Sequence, residues 1–391
     1  MPSYRTGRVV SLLDARQGLQ RVQVDLGNGP ERAYALTQLT GPVAEGDRVV
    51  VNTTAVELGL GTGGWHVVHW NLERDGWSEA GPGHIIKGRY TSIQTDVGST
   101  EEHLEELAEV ESIDGLPVVA AALHSQLPAV AAAFKACAPT GRLAYVMTDG
   151  AGLPLALSDL VASLRERGLV DATITCGHAF GGDHEAVSVY SALAIARHVA
   201  HADAAVVVMG PGIVGTNTRL GFTGLEVGQV LDATVALGGV PIACLRVSFA
   251  DPRHRHAGLS HHSATALRLV ARERAQVAVP ALPEAQAAVL RADLEAAGID
   301  RRHDLVPVDD APDAVALLDA HGLRITSMGR PAADDPALFQ AAAAAGALAA
   351  RHAAPFLAEH TPDLPEPAPF LPEPAPFLPE PGPFLPEPGR G

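Results

Sequence analysis

Four histidines, His254, His256, His261 and His262, fall within nine residues, interleaved with Asp251, Arg253 and Arg255. Neutral imidazoles with a carboxylate suit a divalent transition metal, and His254, His256 and Asp251 are the ligands this stretch offers first. The spacing matches no zinc pattern such as HExxH. Guanidiniums at Arg253 and Arg255, with Arg246 upstream, equally fit the capture of a phosphate or carboxylate. His261 and His262 are expected at a helix start, where the dipole disfavours imidazolium and leaves a neutral base or ligand. Metal ligation, acid–base chemistry with anion recognition, and a purely structural role all stay open on these residues.

Further polar clusters accompany this one. Gly181-Gly-Asp-His-Glu places Asp183 and Glu185 near a helix start, as caps or as a general base or metal ligand. Gly210, Gly212 and Gly215, followed by Thr216, satisfy GxGxxG. A dinucleotide fingerprint is disfavoured, because the next helical pattern begins only near Leu225, and no P-loop lysine is present. A simpler anion cradle or tight packing are the remaining readings. His124, Asp149 and Glu226 complete the set, each just beyond an apolar run or a glycine-rich loop.

These clusters share one address. Apolar runs of strand length lie at Leu116–Leu123, Leu143–Met147, Ala172–Thr175, Ala204–Met209, Pro241–Val247, Gln276–Val279 and Leu305–Val308, with helical spacing between them. Continuous apolar strands alternating with helices predict a Rossmann-like parallel α/β domain over 116–354. Each polar cluster directly follows a predicted strand. Ligands of such sheets bind outside the carboxyl ends of the strands, so these loops are expected to converge on one crevice.

Around this domain the pattern changes. Residues 1–72 hold five short strands separated by turn signals, which predicts a small β-barrel, SH3-like or OB-like. Residues 73–115 form a connector with an acidic run from Glu101 to Glu111. From Pro355 the chain reads PFLAEHT, PDLPEPA, PFLPEPA, PFLPEPG and PFLPEPG, a period of seven whose prolines favour an extended, polyproline-like tail.

Composition narrows the partners. The net charge of −17, with two lysines in the chain, opposes a nucleic-acid backbone. The tail supplies −5 of it, while arginines cluster at 246, 253 and 255. A small anionic molecule is therefore the expected ligand, and a homo-oligomer the expected assembly. The N-terminus shows no apolar signal core, and the apolar stretch 116–134 is broken by prolines and His-Ser-Gln, so no membrane segment is expected. Three cysteines without CxxC spacing fit a reducing cytoplasm.

The stretches GLGTGG (59–64), PGHIIKGRY (82–90), 148–154, GHAFGGDHEA (177–186), 210–226 and 248–262 together resemble a bacterial family, domain-of-unknown-function family 3866. The resemblance covers roughly 5–325 and implies a bacterial cytoplasmic protein; the tail is outside its pattern. Asp183, Glu185, His261 and His262 are the candidate catalytic groups; His124, Asp149, Gly210, Gly212, Gly215, Thr216, Glu226, Arg253 and Arg255 the candidate substrate-binding ones. The expected function is an enzyme, metal-assisted with a divalent transition metal, acting on a small anionic metabolite. The alternative is a non-catalytic metabolite-binding or self-assembling protein.

Overall fold

In the computed structural model, residues 1–61 and 63–359 are described, with side chains through 354. Strands β1 (Tyr4–Arg16), β2 (Leu19–Asp25), β3 (Pro30–Ala35), β4 (Arg48–Asn52) and β5 (His66–Asn71) close into a barrel in the order β1-β2-β3-β5-β4. β3 and β5 pair in parallel and the other neighbours antiparallel, an OB-like connectivity. Alternation makes the core: Val22, Val24, Val49 and Val51 point inward and are fully buried, while their neighbours face outward. After β3 ends at Ala35 the chain turns into the single helical turn α1 (Thr37–Thr40); α2 (Thr54–Glu57) is a second such turn.

The connector carries a two-residue ladder, β6 (Ile86–Lys87) with β7 (Thr95–Asp96). Its acidic run forms two short turns at Thr100–Glu102 and Glu105–Leu107 with a mostly solvated surface.

The rest is a layered α/β domain. Its strands are β8 (Pro117–Ala120), β9 (Leu143–Met147), β10 (Ala172–Thr175), β11 (His184–Glu185), β12 (Ala204–Val207), β13 (Val240–Ala243), then, after a small hairpin β14 (Val247–Ser248) and β15 (Gly258–Leu259), β16 (Gln276–Pro280) and β17 (Asp304–Val308). All but the hairpin join one parallel sheet in the order β11-β10-β9-β12-β8-β13-β16-β17. Strands β8, β9, β10 and β12 are buried on both faces, which explains their uninterrupted apolar sequences.

Helices cover both faces. On one lie α3 (Leu127–Cys137), α4 (Asp159–Glu166), α9 (Ala314–Ala320) and the long α10 (Pro336–Glu359); on the other α5 (Val189–His198), α6 (Glu226–Ala236) and α8 (Glu284–Ala296). Helix α7 (His261–Thr265) continues through a wide π turn, Ala266–Val270. Phe134 of α3 and Phe339 of α10 are fully buried, each contributing about 1.5–3 kcal/mol by area. α3 and α10 meet closely because Gly346 lacks a side chain: a Cβ there would fall 2.2 Å from the Val130 carbonyl oxygen. α10 runs on through 355–359, past the boundary expected at 354; the proline-rich heptads beyond it lie outside the described residues.

The strand order locates the crevice. From β8 the chain crosses by α3 to β9, whereas from adjacent β12 it crosses by α6 on the opposite face to β13. Connections leaving neighbouring strands in opposite directions open a gap above their carboxyl ends.

Candidate functional site

Beyond the carboxyl ends of β9 and β12, next to that switch point, stands Glu226, the first residue of α6. Thr148, just past β9, donates its hydroxyl to Glu226 Oε1 at 2.7 Å, and the Met209 amide donates to the same carboxyl group. The other oxygen faces Gly150, where a Cβ would stand 2.9 Å from it. Glycine therefore keeps that oxygen clear. Burial, with the charge of nearby Asp149 adding to it, pushes the Glu226 carboxyl up to about 7. Such a group exchanges protons near neutrality. Asp149 itself is exposed, and one of its oxygens accepts the His178 amide at 2.9 Å, tying the loop after β9 to the loop after β10.

His124 sits below, between β8 and β12. Its Nδ1–H donates to the Met209 carbonyl (3.2 Å), and its Nε2 accepts from Ser158 Oγ (2.7 Å), the N-cap of α4. Burial lowers its pKa to about 4, so the ring is neutral. Both nitrogens are engaged in holding elements together, which leaves neither for a ligand.

The glycine loop splits between two jobs. Gly210 is a packing glycine: a Cβ would stand 2.3 Å from the Gly152 carbonyl oxygen. Gly212 adopts φ +99° with open space around it. Beyond, the chain folds into an exposed hairpin in which Gly215 bridges Phe222 and the Thr216 amide donates to the Gly221 carbonyl at 2.7 Å. The Thr216 amide is thus engaged within the loop and does not turn toward an anion.

Phe222, at the end of this hairpin, reaches the histidines. Its ring stacks on His262 at 3.8 Å with 2° between planes, and meets His261 edge-on at 5.5 Å. His256, His261 and His262 form a compact trio: one ligating nitrogen from each lies within 4.8 Å of the others. Local folding produces it. The hairpin β14–β15 returns the chain, Ser260 caps α7 by accepting the His262 amide, and the same hydroxyl lies 2.6 Å from His256 Nδ1. Arg246 donates from Nη1 to His262 Nδ1 at 3.1 Å. Burial, then the Arg246 charge, lower His256 to about 3 and His262 to about 2; burial and the charge of Arg255 lower His261. All three rings are neutral bases at pH 7. The His261 Nε2 is buried with no hydrogen-bond partner among the described residues.

Behind the trio lies a charge network. Asp251 binds Arg253 through both oxygens (2.9 and 2.7 Å) and Arg330 at 3.3 Å, and Arg246 lies 3.8 Å away. The hydrogen bonds from Arg253 hold its carboxyl well below the usual range. Asp335 takes Arg330 at 3.0 Å and the Ser248 hydroxyl at 2.7 Å. With Arg255 beside the histidines, four guanidiniums meet two carboxylates.

The ligand set expected from the sequence is rearranged by these contacts. Asp251 faces guanidiniums, and His254 is exposed on the turn before His256, outside the trio. His261 and His262, expected as acid–base groups, join His256 instead. Asp183 and Glu185 stand apart, at the β10–β11 edge. Asp183 accepts the Thr173 amide and hydroxyl (2.8 and 2.9 Å) and pairs with Arg165 at 2.7 Å. Glu185 pairs with fully buried Lys87 at 2.5 Å and accepts from Thr175 and the Gly181 amide. Burial raises its pKa against the opposing pull of Lys87. Both carboxylates fasten the fold here.

Three contributors escaped the sequence reading. Lys87 had a visible signal, being one of two lysines in the chain. Phe222 and Arg330 had none, since each acts through a contact with a distant segment.

A search of curated proteins finds no match. The family model described as "Protein of unknown function (DUF3866)" matches residues 32–346, from β3 of the barrel through the connector and nearly all of the α/β domain. The chain therefore belongs to the DUF3866 family.

Proposed function

We propose that the protein is an enzyme acting on a small anionic metabolite at the carboxyl ends of its parallel strands. One observation carries the reading. The single loop from β12 to α6 ends in Glu226, whose carboxyl exchanges protons near pH 7, and four residues earlier stacks Phe222 on His262 beside the guanidinium cluster. An acid–base group and an anion-attracting region are thus held on one stretch of chain. Arg253 and Arg255 supply the attraction, and Glu226 moves the proton. His261 and His262, neutral and beside the arginines, offer further polar contacts or metal assistance to the same ligand.

A homo-oligomer is the proposed assembly, and a cytoplasmic setting, which the free cysteines fit, is the proposed location. The test is a thermal-shift survey of phosphate esters, nucleotides and carboxylates, followed by turnover assays of the hits. Stabilisation by one class is expected, weakened by Arg255→Gln, with turnover lost in Glu226→Gln. Binding without turnover in either form would leave a metabolite-binding protein instead, and no stabilisation by any anion overturns the reading.

A further inference from the structure

The geometry points to a single divalent transition-metal site formed by His256, His261 and His262, whose filling must displace Arg246 from His262. It deepens the reading of the crevice as an anion-handling site and rests on it only for the anion arm. The donor set is three neutral imidazoles with nitrogens already within 4.8 Å, and ligation draws them to roughly 3.4 Å apart at tetrahedral metal–nitrogen lengths. Two nitrogens are prepared for it. His256 can donate Nδ1–H to Ser260 Oγ, which turns its Nε2 lone pair outward in the manner of an oriented metal ligand. His261 Nε2 is buried and has no partner among the described residues. A buried polar atom without a partner is costly, and a metal ion would satisfy it.

His262 decides the coupling. Arg246 has only N–H donors, so its contact at His262 Nδ1 uses the lone pair there and places the ring proton on Nε2. A metal on Nδ1 competes for that same lone pair. Ligation through Nε2 moves the proton to Nδ1, where it faces the guanidinium N–H. Either way Arg246 must leave. The freed guanidinium then joins Arg253, Arg255 and Arg330, which exceed the charge of Asp251 and Asp335, so an anion arriving with the metal is bound more tightly.

The experiment uses tag-free, chelator-stripped full-length protein titrated with Co²⁺, followed by its visible absorption and by calorimetry with Zn²⁺. One equivalent is expected to bind. His256→Ala and His261→Ala should each weaken it by about tenfold or more, a size typical of lost metal-site groups. His254→Ala should leave it unchanged. Arg246→Met should tighten Co²⁺ binding by about tenfold with phosphate absent, because a competing donor and a positive charge are removed together. Should that variant fail to fold, inorganic phosphate added to the wild type gives the second measure: phosphate and Co²⁺ are expected to raise each other's affinity by equal factors. Absence of saturable Co²⁺ binding, or equal losses in His254→Ala and His261→Ala, overturns the site. Folded Arg246→Met with unchanged or weaker Co²⁺ binding overturns the displacement, as does phosphate binding independently of the metal. Phosphate binding to metal-free protein that takes up no Co²⁺ would sink this inference and leave the anion reading standing.

Discussion

A carboxyl placed as Glu226 is, partly buried beside Asp149, resists ionisation, and its stability effect has a definite sign. Between its ordinary value of 4.5 and its value of about 7 in the fold, the native state holds more protons than the unfolded chain. Stability from this group is therefore fully present below pH 4.5, declines as pH rises through 7, and stays lost above. Glu226→Gln is neutral at every pH, so it should be more stable than the wild type by about 3 kcal/mol at pH 8. Near pH 4.5 the two should be equal. Urea midpoints at both pH values check this, and a variant less stable at pH 8 would show that the ionised carboxylate is favoured after all. A group kept against stability is a mark of a functional position. Position on the chain revealed Glu226 as a candidate, because it follows a glycine loop at a helix start. Its raised pKa was not legible, since burial and Asp149 act on it only in the folded molecule.

At the scale of elements, the connector is held to the sheet edge by a buried ion pair. Lys87 of β6 reaches Glu185 of β11 and the carbonyls of Thr175 and Ala179, leaving no proton of the ammonium without a partner. Removing one partner strands the other in low dielectric. Lys87→Met is expected to destabilise by about 3–5 kcal/mol, and Lys87→Met combined with Glu185→Met to recover most of that loss. Chemical denaturation of the three forms measures it; a loss below about 1 kcal/mol in the single variant would remove the pair from the structural frame. The apolar runs of β8, β9, β10 and β12 were readable as strands because burial on both faces demands unbroken apolar sequence. The edge strand β11, His184–Glu185, was not, since two polar residues carry no period and pair only because β10 lies beside them. The histidine trio shows the same division. Sequence spacing placed four imidazoles together, but the hairpin β14–β15 and the Ser260 cap chose which three face one another.

For the whole molecule, the barrel is docked by Arg21 to Asp159 at 2.7 Å and by Arg16 to the same carboxylate and to the Ala156 carbonyl. Its outer surface carries an apolar stretch. A register irregularity between Leu12 and Asp14 interrupts the alternation of β1, so that Leu12 and Leu13 are both exposed, with Tyr4 and Val10 on the same strand. Exposed apolar groups gathered this way mark a contact surface, and a second copy of the chain is the proposed occupant. Sedimentation velocity should give a mass that is a multiple of 40.5 kDa, reduced toward one chain by Leu12→Asp with Leu13→Asp. A wild type that sediments as a single chain at tens of micromolar would exclude this. Among the described residues no helix is long and apolar enough to cross a membrane.

The sequence by itself determined what is periodic or compositional: the barrel, the buried parallel strands, and the placement of the polar clusters after those strands. These follow from local rules, alternation and unbroken apolar runs, that one segment can express alone. Only the tertiary structure decided the strand order, and with it which loops share a crevice. Glu226 comes to the switch point while Asp183 and Glu185 are carried to the sheet edge, because β12 inserts between β8 and β9. It also decided that Asp251 answers to Arg253 and Arg330 rather than to a metal, since Arg330 arrives from a segment nearly eighty residues away. Charge neutralisation and ligand geometry depend on distances between segments, and sequence spacing does not contain them.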